Sequence, residues 1–129
     1  MQRVVPALRI SSYSAALRFY QRLGFREKWT HRFDDGLPVF ASIVRDGMEI
    51  NLTEHTGDCS FGGLVHFYVD DVDELHRQFR DDKVPVKQAP ANSLGPDIRD
   101  MLVVDPDGNR LSFLTVRPAI HSAEGQGLC

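Results

Sequence analysis

The stretch VVDPDGNRLSF, from Val103 to Phe113, carries the clearest structural signal in this chain. Apolar and polar residues alternate on both sides of the central DPDG, as they do in strands that bury one face. An Asp-Gly pair between two such runs is a strong signal for a hairpin turn. The stretch therefore predicts two antiparallel β-strands late in the chain.

The rest of the chain shows one order of elements used twice. The run VVPALRIS predicts a strand, and a helix follows that Ser11 or Ser12 can cap and Gly24 can end. Three strand-like runs come next: FREKWTHRF, PVFASIVR and MEINLT. The order then restarts with LVHFYV and a helix that Asp71 and Glu74 open as a capping box. Three further runs predict strands: VPVKQA, DIRDMLVV and RLSFLTV.

The two halves also agree in register. A shift of 59 residues aligns similar residues at strand, helix and turn: Leu8 with Phe67, Tyr20 with Phe79 and, after an insertion of two residues, Asp46-Gly47 with Asp107-Gly108. Generic α+β patterning is the alternative, but agreement at all three places argues against it. We expect one α+β domain over residues 1–116 with two βαβββ modules, about 3–54 and 63–116, and a C-terminal tail over 117–129.

Composition excludes several classes of function. The formal charge of −3 and the lack of a basic run argue against a nucleic-acid-binding protein. No apolar stretch is long enough to span a bilayer, and the start MQRVVPALRI lacks a signal-peptide layout. Cys59 and Cys129 form no close metal-type pair, which favours free thiols in the cytoplasm, with a single disulfide as the alternative.

Three motifs together resemble the vicinal-oxygen-chelate superfamily, which includes glyoxalase I, extradiol dioxygenases and bleomycin resistance proteins. They are RFYQRLGF at residues 18–25, VDDVDELHRQF at 69–79 and the stretch at 103–113. The resemblance covers about residues 3–116. It is closest to the bleomycin resistance group, which has a proline in the first strand, as Pro6 is here, and a strand pair similar to FASIVRDGMEINLT.

The resemblance implies that each module curves its mixed sheet around a concave groove, with its helix on the other face. Strand alternation then assigns residues to the two faces. The predicted helix-facing residues are Leu8, Ile10, Ile50, Leu52, Phe67, Val69, Leu111 and Phe113. The predicted groove-facing residues are Val5, Ala7, Glu49, Asn51, His66, Tyr68, Arg110 and Ser112.

The enzymes of the superfamily hold a metal at four groove positions, which correspond here to Val5, Asn51, Leu64 and Ser112. Valine and leucine have no lone pair, and an amide and a hydroxyl are poor ligands for such a metal. We therefore predict no metal, no cofactor and no catalytic residue. A displaced site built from Glu49 and His66 is the alternative, and a metal-dependent lyase or dioxygenase would use it.

A groove without a metal can still bind a planar or amphipathic molecule. The resemblance implies a bleomycin-type antibiotic, stacked on aromatic rings and held through a cationic group by a carboxylate. The predicted ligand-binding residues are Trp29, His31, Phe33, Phe40, Ser42, Glu49, Asn51, Thr53, His66, Tyr68, Met101 and Ser112. Core packing is the alternative role for the aromatic residues.

The resemblance also implies a homodimer in which the first strand, with Pro6, crosses to the partner. Module one of each chain would then face module two of the other and form two equal grooves. An ordinary edge-strand proline in a monomer is the alternative. We thus predict a cytoplasmic, strand-swapped, antibiotic-sequestering protein, and a scaffold or sensor without a ligand is a third possibility.

Overall fold

A computed structural model describes residues 1–117. The predicted tail therefore lies, apart from Arg117, outside the described residues, as does Cys129. Within residues 1–117, no helix has the length and the apolar character that crossing a membrane requires.

The elements follow the predicted order. Module one contains β1 (Ala7–Arg9), α1 (Tyr13–Arg22), β2 (Arg26–Arg32), β3 (Val39–Arg45) and β4 (Met48–Thr53). Module two contains β5 (Leu64–Tyr68), α2 (Val72–Asp81), β6 (Gln88–Ala91), β7 (Ile98–Val104) and β8 (Arg110–Val116). The α+β class and the two βαβββ modules are confirmed.

The two sheets have equivalent topology. Their strand orders are β1-β4-β3-β2 and β5-β8-β7-β6. The first strand of each module pairs in parallel with the last, and the other pairs are antiparallel, so both sheets are mixed. Gly47 lies in the turn between β3 and β4, and Gly108 in the turn between β7 and β8. Their φ values are 78° and 84°, a left-handed conformation that favours glycine.

The helices begin where the sequence predicts. The Ser12 side chain accepts a hydrogen bond from the backbone N–H of Ala15 and caps α1. The Asp71 side chain accepts from the backbone N–H groups of Asp73 and Glu74 and caps α2. Gly24 follows α1 at a φ of 92°, which lets the chain turn directly into β2.

A single hydrophobic core runs through both modules. The predicted helix-facing residues are buried in it, except Val69, which packs against it partly buried. The rings of Phe67 and Phe113 stack with centroids 4.8 Å apart, and Phe25 of module one meets Phe67 edge-on at 5.7 Å. The alternation in the sequence therefore identifies the buried face of each sheet correctly.

A buried hydrogen-bond network also joins the two modules. The Asp105 carboxylate, 4% exposed, accepts from the Tyr20 hydroxyl at 2.7 Å and from the Asn109 backbone and side-chain amides at 2.8 and 2.9 Å. Asn109 also donates to the Arg9 carbonyl and accepts from the Gly63 N–H, both at 2.9 Å. Burial, followed by the charge of Asp105, raises the pKa of Tyr20 far above its ordinary value. Asp105 and Asn109, both in the stretch 103–113, thus hold the two modules together.

Candidate functional site

The groove face is the sheet face turned away from the helices. In module one it carries eight of the predicted ligand-binding residues on, or just after, three neighbouring strands. The register places Trp29, Ser42 and Asn51 in one row across the sheet, and His31, Phe40 and Thr53 in the next. Glu49 lies beside Val44 on the same face, and Phe33 directly follows β2.

The aromatic side chains on this face form two packed groups that adjoin in the sheet register. We call them together the aromatic row, composed of Trp29, Phe40, His31, Phe33 and His55. The ring centroids of Trp29 and Phe40 are 5.6 Å apart, and those of His31 and Phe33 are 4.5 Å apart. His55 meets Phe33 edge-on at 6.3 Å. Phe33 is 73% exposed and Trp29 is 39% exposed, so core packing does not account for these two rings.

A cavity of about 200 Å³ lies at the end of the aromatic row. It is lined by His31, Phe33, Phe40, His55 and Asp58. The histidines and phenylalanines give it apolar walls, and Asp58 adds one carboxylate. Such a cavity suits one ring or one short arm of a ligand.

Glu49 lies at the other end of this face among cationic side chains. Its carboxylate accepts from the Ser42 hydroxyl at 2.5 Å and is 3.3 Å from both the Arg3 guanidinium and the Lys28 ammonium. The Ser42 hydroxyl, followed by the two cations, holds the pKa of Glu49 below its ordinary value. Glu49 is therefore ionised and already has cationic partners.

Module two presents a second groove face. His66 lies beside Ser112, and Tyr68 lies beside Leu114, across the parallel pair of β5 and β8. Tyr68 is 66% exposed, and His66 is exposed as well. These two rings are accessible to a ligand or to a partner chain.

Asp100 is a residue of this second face that the sequence analysis missed. It pairs with Leu114 in the register of β7 and β8, and it is 6% exposed. The Ser93 hydroxyl donates to its carboxylate at 2.7 Å, and the Gln88 amide lies at 3.4 Å. Its alternation with the buried Met101 and Val103 placed it on the groove face and was readable in the sequence.

Four predicted ligand-binding residues are buried: Met101, Ser42, Thr53 and Ser112. Met101 is fully buried in the core, because it pairs with the helix-facing Phe113 and so points away from the groove. Ser42 and Thr53 lie on the groove face but are also fully buried. The Ser42 hydroxyl is bonded to Glu49, and the Thr53 hydroxyl donates to Asp58 at 2.7 Å. The two hydroxyls therefore hold the carboxylates of Glu49 and Asp58 in place.

The segment between β4 and β5, residues 54–63, forms a wall of module one that the sequence did not reveal. We call it the linker. Asp58 covers Thr53, Phe61 lies over the Arg9 guanidinium at 4.5 Å, and the Cys59 thiol is 3.8 Å from the Ala7 carbonyl oxygen. The linker sequence has no periodicity that could predict this path.

The four positions that hold a metal in the enzymes of the superfamily carry side chains here that are unsuited to binding a metal. Val5 and Leu64 have no donor atom, and Asn51 and Ser112 offer only an amide and a hydroxyl. Within residues 1–117, no three His, Cys, Asp or Glu side chains lie close enough together to hold a metal ion. Glu49 and His66 stand on different sheets, in β4 and β5.

Strand β1 is an edge strand of its sheet. Pro6 directly precedes β1, and its carbonyl accepts from the Asn51 backbone N–H at 2.8 Å. In this single chain, β1 pairs with β4 of its own module. The crossing of β1 to a partner stays a prediction.

A larger cavity, of about 290 Å³, lies elsewhere, at the N-terminal end of α2. Asp71, Asp73 and Arg99 are among its lining residues. The Arg99 guanidinium binds the Asp73 carboxylate through two hydrogen bonds of 2.8 and 3.0 Å, and this pairing lowers the pKa of Asp73. Its polar groups thus serve the capping of α2 and an ion pair, and it lies away from the aromatic row.

Comparison with known proteins agrees with this architecture. A family model described as "Glyoxalase superfamily protein" matches residues 1–118. No curated protein sequence matches the chain. Among solved structures, a bleomycin-binding protein complexed with bleomycin shares 21% identity at a TM-score of 0.71, over 89% of this chain and 98% of that one.

Two further structures have the same fold. A bleomycin resistance determinant encoded on the transposon Tn5 shares 21% identity at a TM-score of 0.73, over 92% of this chain and all of that one. A glyoxalase I mutant from Zea mays shares 16% identity at a TM-score of 0.71, over 90% of this chain and 45% of that one. At these identities the likeness extends to the fold alone.

Proposed function

Because the chain belongs to the glyoxalase superfamily, we propose that it is a metal-independent binding protein that sequesters a bleomycin-type glycopeptide antibiotic and so gives resistance. The observation that carries the proposal is the exposed aromatic row on a groove face whose four metal positions lack suitable donors. A groove of this kind can hold a guest without transforming it. Sequestration would take place in the cytoplasm, as the sequence predicts.

The chemistry of the groove face suits such an antibiotic. Stacking on Trp29 and Phe33 would hold planar heteroaromatic groups. A cationic tail would be held by Glu49, where it would replace Lys28, whose side chain is 42% exposed. The formal charge of −3 on the chain favours the approach of a cationic molecule. The fold that the chain shares with the bleomycin-binding protein supports the proposal.

The size of the cavity supports a two-chain groove. A drug-sized ligand needs about 300–1,000 Å³. The cavity beside the aromatic row has about 200 Å³, and a separate hollow beside Glu49 has about 350 Å³, so a ligand that spans both needs further walls. We therefore propose that the single domain, residues 1–116, forms a homodimer in which Tyr68 of one chain faces the aromatic row of the other. Pro6 would mark the crossing strand. Light scattering should give twice the chain mass of 14.6 kDa. A monomer at micromolar concentration would contradict this assembly.

The direct test of function is a titration with metal-free bleomycin, followed by the fluorescence of Trp29, the one tryptophan of the chain. We expect a saturable change, because the indole lies on the groove face. Calorimetry serves as the second readout if the fluorescence is silent. A protein that binds no bleomycin by either method would exclude the proposed function and leave the scaffold or sensor hypothesis.

Replacing Tyr68 with alanine should weaken bleomycin binding about tenfold, because an exposed aromatic ring that stacks on a ligand contributes about 1–1.5 kcal/mol. Since Tyr68 is 66% exposed, the free energy of unfolding should change by less than about 0.5 kcal/mol. Tyr68→Phe, which keeps the ring, is the matched control and should bind nearly as wild type. An unchanged Kd in Tyr68→Ala would remove Tyr68 from the site.

A further inference from the structure

Two buried polar atoms on the groove face of module one have no hydrogen-bond partner within residues 1–117. They are Nε of Arg9 and Oδ1 of Asn51. Buried polar groups in native proteins are nearly always satisfied, so each exception needs an explanation. We call these two residues the polar pair.

The polar pair lies on neighbouring strands of one sheet. In the register of β1 and β4, Ala7 pairs with Asn51 and Arg9 pairs with Thr53. Arg9 and Asn51 are therefore diagonal neighbours that project from the same face. The same face thus carries a donor on β1 and an acceptor on β4, and the two atoms do not bond to each other.

The charge of Arg9 is also uncompensated within the part of the chain that the structure describes. None of the ion pairs there involves Arg9. The guanidinium instead lies against the Phe61 ring, with 4.5 Å between its central carbon and the ring centroid. A guanidinium has five N–H donors, and a ring face satisfies none of them as an oxygen would.

Glu54 and Gly63 anchor the two ends of the linker through hydrogen bonds, but the middle of the linker, which covers Arg9, has few attachments. Asp58 is held by the Thr53 hydroxyl at 2.7 Å, and the contact of Cys59 with the Ala7 carbonyl is long, at 3.8 Å. Phe61 is 49% exposed. Loops held by so few contacts open at low cost. The two unpaired atoms are almost completely shielded from solvent, and Phe61 of the linker lies against Arg9, so a ligand that reaches Nε of Arg9 has to displace this ring.

We propose that the polar pair binds a carboxamide group of the ligand and that the linker gates this site. The carboxamide oxygen would accept from Arg9, and its NH₂ would donate to Asn51. A carboxylate would satisfy Arg9 but would place a second acceptor against Oδ1 of Asn51, and an ammonium would be repelled by Arg9. A carboxamide carries one acceptor and one donor on a rigid planar group, and so can satisfy both atoms. This inference rests on the proposed function in that the groove face is the ligand site.

Benzamide, benzoate and acetophenone form a matched probe set, because they share the ring and differ in the polar group. We expect NMR titration of ¹⁵N-labelled protein to show benzamide binding about tenfold more tightly than either of the others, with shifts at the Arg9 side-chain N–H. Asn51→Leu should remove the preference over acetophenone, and Arg9→Met should weaken benzamide binding about tenfold. Phe61→Ala should tighten benzamide binding, because the ring no longer covers Arg9.

Thermal unfolding separates this role from a structural one. Asn51→Leu should leave the Tm unchanged or raised, because it replaces a buried polar group that has no partner. A clear fall in Tm would show that Asn51 is satisfied in the folded protein and would overturn the proposal. Equal affinities for the three probes, tighter binding of benzoate, or weaker benzamide binding in Phe61→Ala would also overturn it.

The two proposals can fail separately. If bleomycin binds but its Kd is the same in Arg9→Met and Asn51→Leu, the antibiotic function stands and the carboxamide site is wrong. If bleomycin does not bind but benzamide is preferred as described, the site stands and its natural ligand is another carboxamide.

Discussion

Replacing Asp105 with alanine should lower the free energy of unfolding by about 4 kcal/mol, the largest stability effect we expect for any single substitution in this chain. Its buried carboxylate accepts hydrogen bonds from Tyr20, Asp107 and both amides of Asn109. Alanine would leave these buried donors without an acceptor. Urea unfolding measured by circular dichroism gives the free energy directly.

The matched control for this substitution is Asp82→Ala. Asp82 is an exposed aspartate whose backbone, rather than its side chain, makes the hydrogen bonds at the end of α2. Its replacement should change the free energy of unfolding by less than about 0.5 kcal/mol. Tyr20→Phe should fall between the two, at about 1.5 kcal/mol, because it removes one of the bonds to Asp105. A loss below about 1 kcal/mol in Asp105→Ala would show that this network does not hold the modules together.

The largest functional effect is expected for Trp29→Ala. The indole is 39% exposed and packs against Phe40 on the groove face, where it offers the widest stacking surface of the aromatic row. Tryptophans at the centre of binding sites contribute about 2 kcal/mol or more, so bleomycin binding should weaken about 30-fold. Because the substitution removes the fluorophore, calorimetry is the appropriate measurement.

Thr30→Ala is the control for Trp29→Ala, since Thr30 is the next residue of β2 and projects from the other face. It should bind bleomycin as wild type does. If both variants lose affinity equally, the effect comes from damage to the edge strand β2, and the aromatic row would lose its assigned role.

The fold could be predicted from the sequence because its signals are local. Alternation placed Leu8 and Phe113 on the buried faces, and Asp71 identified the start of α2 through its own capping bonds. The predicted position of β6 was wrong by a few residues. The run VPVKQA predicts a strand that begins at Val84, whereas β6 runs over Gln88–Ala91. It tolerates Pro90 because it is the edge of its sheet.

The candidate site was less predictable, because it depends on contacts between distant segments. Thr53 was assigned to the groove correctly by alternation, but nothing in the sequence shows that Asp58 folds back over it. The unpaired state of Arg9 and Asn51 likewise depends on the path of the linker. Met101 is a different case. It lies two residues before Val103 and so shares the core-facing side of β7, although it was predicted to bind the ligand; in the structure it is buried in the core.

The central claim is that the groove binds its ligand without a metal. Isothermal titration calorimetry of the chelator-treated protein with metal-free bleomycin, in a buffer containing EDTA, tests it most directly. We expect saturable binding of one antibiotic molecule per chain under these conditions. Binding that is lost in EDTA and returns only when a divalent metal is supplied to the protein would contradict it.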